Sequence, residues 1–254
     1  MTALTHEPKQ ATKVRKSVAD IRLITFDLDN TLWDVDQVII RAETKMRQWM
    51  EEHAPESLNY YSSDYLVEIR QRIVSDNPSK RFDLSFMRLA ILSEVMSLSG
   101  MDAKEAKQNA ENAFAVFFEA RNEVSFFPGA LEMLSKIKGH YLIYALTNGN
   151  ADIEKTGLDT YMDGAINAAE VSASKPSPEM FHLVLRKTKL KPENAVHIGD
   201  NLVDDIEGAY NAGFYSIWVN LKSETMSKEG AQPNQIVTSL SEIPTLLEPS
   251  AKAF

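Results

Sequence analysis

The stretch IRLITFDLDNT, residues Ile21–Thr31, decides how the rest of the chain is read. Ile21, Leu23, Ile24 and Phe26 crowd apolar side chains together, and Asp27 and Asp29 then appear abruptly. A short apolar run ending in polar residues has the pattern of a parallel strand buried on both faces. In open α/β sheets, ligands bind just beyond the carboxyl ends of such strands, which is where Asp27 falls.

Downstream of this stretch the periodicity becomes helical. Val38, Ile39, Ala42, Met46, Trp49 and Met50 follow the i, i+3, i+4 spacing of one helix face. A second helix is expected near Asp64–Ser75, and a third from about Asp83 to Leu98, meeting Gly100 as a C-terminal stop. Asp102 with Glu105 resembles a capping box, Asp replacing the usual Ser or Thr, for a fourth helix ending near Arg121. After Phe127-Pro128-Gly129 strands and helices alternate. Strands are expected at Tyr141–Thr147, Ala165–Ala168, Ala195–Gly199 and Tyr215–Val219. Helices are expected near Ala130–Lys138, Ala151–Leu158, Pro178–Leu190 and Asp205–Ala212, the third with Ser177 as N-cap and Pro178 at its first position. Such alternation indicates an α/β fold with a Rossmann-like, doubly wound parallel sheet. The expected organisation is a discontinuous α/β core (20–34 and 125–254), an inserted all-helical cap (35–124) and a polar N-terminal extension (1–19).

Composition narrows the function classes. The net charge of −9, from 27 basic against 36 acidic residues, argues against a nucleic-acid partner, which needs a basic footprint. Cysteine is absent, so disulfides, thiolate catalysis and cysteine-based metal sites are excluded together. No apolar run approaches the roughly 18–20 residues that span a bilayer, so no membrane partner is expected. The first twenty residues contain no continuous apolar stretch and do not read as a secretory signal, which leaves the cytoplasm as the expected location.

Four polar groups follow strands or open helices in a fixed order: Asp27-Leu28-Asp29-Asn30-Thr31, Thr147-Asn148-Gly149, Ser174-Lys175-Pro176, and Gly199-Asp200 through Asp204-Asp205. Singly each has an innocent reading as a solvated turn, a loop or a helix cap. Together they meet the needs of one reaction. A carboxylate can attack phosphorus and form an acyl-phosphate, dividing hydrolysis into two easier displacements. A second carboxylate two residues on can protonate the leaving oxygen and then activate water. Phosphate brings negative charge towards Asp27, so a divalent cation is needed, and hard oxygen ligands suit Mg²⁺. Lys175 supplies fixed positive charge, and Thr147 and Asn148 supply neutral donors to phosphate oxygens.

The four segments, in this order, resemble the signature motifs of the haloacid dehalogenase-like hydrolase superfamily. The resemblance implies that Asp27 is the nucleophile and that Asp29 is the general acid/base, its main-chain carbonyl also binding the metal. It matches Thr147 to the hydroxyl residue of the second motif, Lys175 to the lysine of the third and Asp200 to a direct Mg²⁺ ligand. The usual spacing puts the second acid of the fourth motif at Asp205 before Ile206, leaving Asp204 as a solvated or capping acid. The wording FDLDNTLWDVDQVIIRAE and LTNGNAD looks similar to bacterial members acting on flavin mononucleotide or a phosphorylated flavin precursor. Related branches dephosphorylate nucleotides and sugars.

The expected function is therefore Mg²⁺-dependent hydrolysis of a small phosphate ester, by a monomer or homodimer. A metal-independent 2-haloacid dehalogenase is the alternative enzyme, and Asp29 argues against it because family members with that chemistry lack this second acid. A phosphoacceptor module is the alternative from outside catalysis; such modules are about half this size and lack a cap. Trp33 and Arg88 are candidates for reading the leaving group. Against this, Trp33 also reads as a buried hinge contact and Arg88 as an ordinary ion pair. His197 reads as a strand residue held by packing or a backbone hydrogen bond. Phe114, Phe117 and Phe118 are spaced as a helix face and read as cap core.

Overall fold

The computed structural model describes residues 20–226 and 230–247; the expected N-terminal extension lies outside the described residues. Six parallel strands form one sheet: β1 (Leu23–Phe26), β2 (Leu142–Thr147), β3 (Gly164–Asn167), β4 (Ala195–Gly199), β5 (Tyr215–Val219) and β6 (Gln235–Val237). They lie side by side as β3-β2-β1-β4-β5-β6. The chain winds outward from β1 through β2 to β3, then crosses to β4 on the other side of β1. This reversal is the switch point at which such sheets leave a crevice.

Every residue of β1 is buried, because both faces of the sheet are covered. Ile24 and Phe26 join the larger apolar core with Met133, Leu134 and Ile137, while Leu23 packs with Met180, Phe181 and Val184 on the opposite face. Phe26 is in register with Ala145 of β2 and Ile198 of β4, so the residues that follow all three strands emerge at one edge.

Between β1 and β2 lie four long helices: α1 (Val35–His53), α2 (Ser63–Asp76), α3 (Leu84–Leu98) and α4 (Ala103–Asn122). They bury a separate apolar cluster that includes Ala42, Met46, Met50, Leu92, Val95, Ala110 and Phe117. Asp34 caps α1 by accepting from Asp36 N and Gln37 N, and Asp102 caps α4 by accepting from Lys104 N and Glu105 N. Around the sheet are α5 (Ala130–Ile137), α6 (Ala168–Val171), α7 (Glu179–Thr188), α8 (Gly208–Asn211) and α9 (Ile243–Leu247).

Three local expectations are corrected. Ala151–Leu158 forms no α-helix: Asp152 starts a single turn by accepting from Glu154 N and Lys155 N, Gly157 at φ 78° ends it, and Leu158 opens a short 3-10 turn. Helix α7 begins after Pro178, which is itself the cap, and Ser177 does not cap it. The segment after β4 is a widened π-type turn, Leu202–Glu207, running into the short α8. Strand β6 escaped the sequence because it has only three residues, two of them exposed.

Candidate active site

Asp27 directly follows β1, its N–H donating to Ile198 O of the neighbouring β4 at 2.9 Å. The strand ends deliver Asp27, Thr147 and Asp200 to one crevice, a cavity of about 170 Å³ lined also by Asp29, Asn148, Lys175, Asp204 and Asp205. Lys175 enters from the loop before α7 and is 2 % exposed. Its Nζ donates to Asp27 Oδ1 at 2.7 Å and to Asp205 Oδ1 at 2.6 Å.

The lysine is held from behind. Lys175 N donates to Asn148 Oδ1 at 2.7 Å, and Asn148 Nδ2 donates to Lys175 O and to Asp204 Oδ2, both at 3.1 Å. Both amide hydrogens of Asn148 are thereby committed, so its side chain is a strut beneath Lys175 and does not itself donate to phosphate. Thr147 is buried and its Oγ1 accepts from Gly149 N at 2.9 Å, leaving the hydroxyl hydrogen for a ligand oxygen.

Asp205 is fixed on every side. The widened turn after β4 lets its carboxylate fold back so that Oδ2 accepts from Asn201 N at 2.9 Å. Oδ1 lies 3.1 Å from His197 Nε2, and His197 Nδ1 lies 2.8 Å from Thr25 Oγ1. His197 is thus more than a packed strand residue, because it anchors Asp205. Gly199 makes this possible: a Cβ there would stand 2.3 Å from Asp205 Cγ. Asp204 stays half-buried at the cavity margin, on Asn148.

Asp27, Asp200 and Asp205 each offer an oxygen within 4.8 Å of the others, and among the described residues this is the acid group that could hold a metal ion. The charges strain against one another. Burial, only partly countered by Lys175, pushes the Asp27 carboxyl well above its usual range. Burial and then the Asp205 charge push Asp200 up to about 6. Asp205 goes the other way: burial would raise it, but Lys175, and after it His197, holds it ionised far down the scale. Lys175 is kept protonated in spite of burial by Asp205 and Asp27. One lysine among three crowded carboxylates leaves net negative charge, and a divalent cation fits that deficit.

The Asp29 carboxylate is not part of this acid group, and its expected place among the metal residues is left to its main chain. Its Oδ1 accepts from Trp33 Nε1 at 2.8 Å, and Arg121 Nη2 lies 2.8 and 2.7 Å from Oδ1 and Oδ2. Trp33 is fully buried, edge-on to Phe126 with centroids 5.7 Å apart, so no substrate can stack on it; this corrects its candidacy as a specificity residue. Arg88 lies away from the acids, bonded to Glu43 Oε2 at 2.9 Å and lying over the Phe117 ring. It lines a cavity of about 250 Å³ with Ile39, Leu66, Met87, Phe117 and Asn150.

Arg121, Asn150 and the Thr25–His197 pair escaped sequence reasoning. Arg121 stands in the last turn of α4, where a basic residue needs no further explanation, and its partner lies 92 positions away.

A family model described as haloacid dehalogenase-like hydrolase matches residues 21–213. The 5-amino-6-(5-phospho-D-ribitylamino)uracil phosphatase YigB of Escherichia coli (strain K12) is 29% identical over 199 residues, covering 78% of this chain and 83% of that protein. Human N-acylneuraminate-9-phosphatase is 24% identical over 237 residues, with 90% and 94% coverage. Among solved structures, a 2-haloacid dehalogenase from Pseudomonas syringae pv. Tomato DC3000 superposes with a TM-score of 0.85 at 36% identity, covering 89% of this chain and 98% of that one.

Proposed function

We propose, for a chain that belongs to the haloacid dehalogenase-like hydrolase family, the hydrolysis of a small phosphate monoester through a phosphorylated Asp27. The observation that carries this reading is the presence of Asp29 in the same cavity as the Asp27–Asp200–Asp205 acid group and Lys175. Asp27 attacks phosphorus, its carboxylate oxygen bonding as the ester oxygen departs, and Asp29 gives that oxygen a proton. Water then attacks the acyl-phosphate, Asp29 takes its proton, and Asp27 and inorganic phosphate are released. Lys175 orients Asp27 and offsets incoming negative charge, and the Thr147 hydroxyl is placed to donate to a phosphoryl oxygen. Asp27 and Asp200 would hold Mg²⁺, with Asp205 behind them; when bound it offsets the charge that phosphate brings to three carboxylates.

The dehalogenase neighbour supports a second reading, in which Asp27 displaces halide from carbon. Halide leaves without a proton, and an Asp27 attacking carbon meets no phosphate charge. The ester so formed needs one acid to activate water, but no proton donor for the leaving group and no cation at the Asp27–Asp200–Asp205 group, so we favour the phosphatase.

For the leaving group, the cavity beside Arg88 joins apolar side chains to Tyr61, Arg70 and Asn150. We read the four-helix segment as the cap and this cavity as the place of a polar organic leaving group. The likeness to YigB favours a phosphorylated ribityl-pyrimidine or flavin; a nucleotide or sugar phosphate is the alternative. Turnover of p-nitrophenyl phosphate is expected with Mg²⁺ and not with EDTA, and it is expected to vanish in Asp27→Asn. Chloride release from 2-chloropropionate without phosphatase activity would replace this reading with the second. A panel of flavin mononucleotide, nucleoside monophosphates and sugar phosphates then ranks the substrates.

A further inference from the structure

Arg121 is 1 % exposed and belongs to the helical segment, yet its strongest contacts are with a residue at the end of the central strand. One guanidinium nitrogen, Nη2, lies 2.8 and 2.7 Å from the two Asp29 oxygens. Nε points to Asn150 Oδ1 at 3.4 Å, and Asn150 Nδ2 donates to Ser85 Oγ of α3 at 3.1 Å. The next residue, Asn122, accepts from Asp152 N at 2.8 Å. The end of α4 is therefore pinned to the loop after β2, and Arg121 reaches from there to the acid.

This arrangement is a poor way to gain stability. Arg121 Nη1 is buried with no partner among the described residues. A buried donor left unmade costs free energy, and buried ion pairs seldom exceed apolar packing in stability. Such local violations collect where function requires them. Space is tight on the far side as well: a Cβ at Gly149 would stand 2.5 Å from Asp29 Oδ2 and 3.2 Å from Arg121 Nη2. With Trp33 donating to Oδ1, the Asp29 carboxylate is clamped by Trp33 and Arg121, with Gly149 leaving the room it needs.

We propose that Arg121 is a positioning residue for Asp29, supplied by helix α4 across the junction between the helices and the sheet. It touches no atom of the acid group and acts only by holding Asp29 where proton transfer takes place. The proposal rests on the phosphatase reading for Asp29's task, and its test separates the two.

The experiment is a double-mutant cycle of Arg121→Met and Asp29→Asn, read as kcat and KM on p-nitrophenyl phosphate with saturating Mg²⁺. Arg121→Met is expected to lower kcat by about 100-fold, the order of one general acid–base contribution, with KM within about threefold. The double variant is expected to be about as slow as Asp29→Asn alone, because the arginine has nothing left to position. Multiplying losses, or a KM effect without a kcat effect, would overturn the proposal. Should Arg121→Met fail to fold, Arg121→Lys, which keeps the charge and loses the planar fork, runs through the same cycle with the same criteria. If the wild-type protein hydrolyses no phosphate ester, the phosphatase reading falls. The proposal is then judged by the crystal structure of the variant, where an Asp29 carboxylate still in its original place would sink it.

Discussion

At the residue scale, the site is governed by the competition for one lysine. Asp205 takes the shorter bond and two further donors; Asp27 and Asp200 are left with carboxyls raised by burial and mutual charge. The sign follows for Asp200, whose folded-state value is about 6 against 3.8 for the free side chain. Below both values it is protonated in either state and contributes nothing. As pH rises past about 4 the unfolded chain ionises first, so stability is lost until about pH 6, and the deficit stays above it. In EDTA, Asp200→Asn is therefore expected to be more stable than the wild type at pH 7.5 by on the order of 1–2 kcal/mol, the gap closing towards pH 4. Urea denaturation of both proteins across that range checks it. Added Mg²⁺ is expected to stabilise the wild type and reverse the order at pH 7.5; a gap independent of pH would contradict the charge assignment. The acids and the lysine were legible in the sequence because reactive groups in ordered spacing stand out. That the Asn148 amide points at Lys175 and Asp204 was not legible, because both partners lie far along the chain.

At the element scale, what matters is how β1 and β4 end. The run Leu23–Phe26 was readable because a strand buried on both faces must be apolar throughout. The turn after β4 was not, since nothing in Leu202–Glu207 distinguishes a π-type turn from ordinary helix until Asp205 is drawn back by Asn201, Lys175 and His197. Gly199 is the hinge of that arrangement. Gly199→Ala would set a Cβ 2.3 Å from Asp205 Cγ, so the carboxylate or the strand end has to move. We expect a loss of about 1–3 kcal/mol from overpacking. Turnover should fall by about 100-fold, since displacements of roughly an ångström at a reacting centre carry that cost. Urea midpoints and kcat measure both; an unchanged kcat would show that Asp205 and Lys175 tolerate movement.

At the scale of the whole molecule, the four helices carry their own apolar cluster, and the site is shared with them through Trp33, Arg121 and Asn150. Arg88 belongs to this level, since it lines a cavity in the helical segment that reaches Asn150. Arg88→Ala is expected to raise KM about tenfold for the preferred bulky ester, the loss of one charged hydrogen bond, and to leave p-nitrophenyl phosphate within about twofold. Steady-state kinetics on both esters checks this, and equal losses would assign Arg88 to the Glu43 pair alone. The sequence by itself determined the strand that ends in Asp27, the alternation that makes the sheet parallel and the presence of a long helical insert. It also determined the order of the chemical groups. These follow from local patterns, in which burial and periodicity are written residue by residue. Only the tertiary structure decided that Asn148 braces Lys175, that His197 anchors Asp205, and that Trp33 and Arg121 clamp Asp29. Those partners meet across as many as 92 positions, and such pairings exist only once the helices and the sheet have packed. Asp27 could be read from its strand; what holds the groups around it could not.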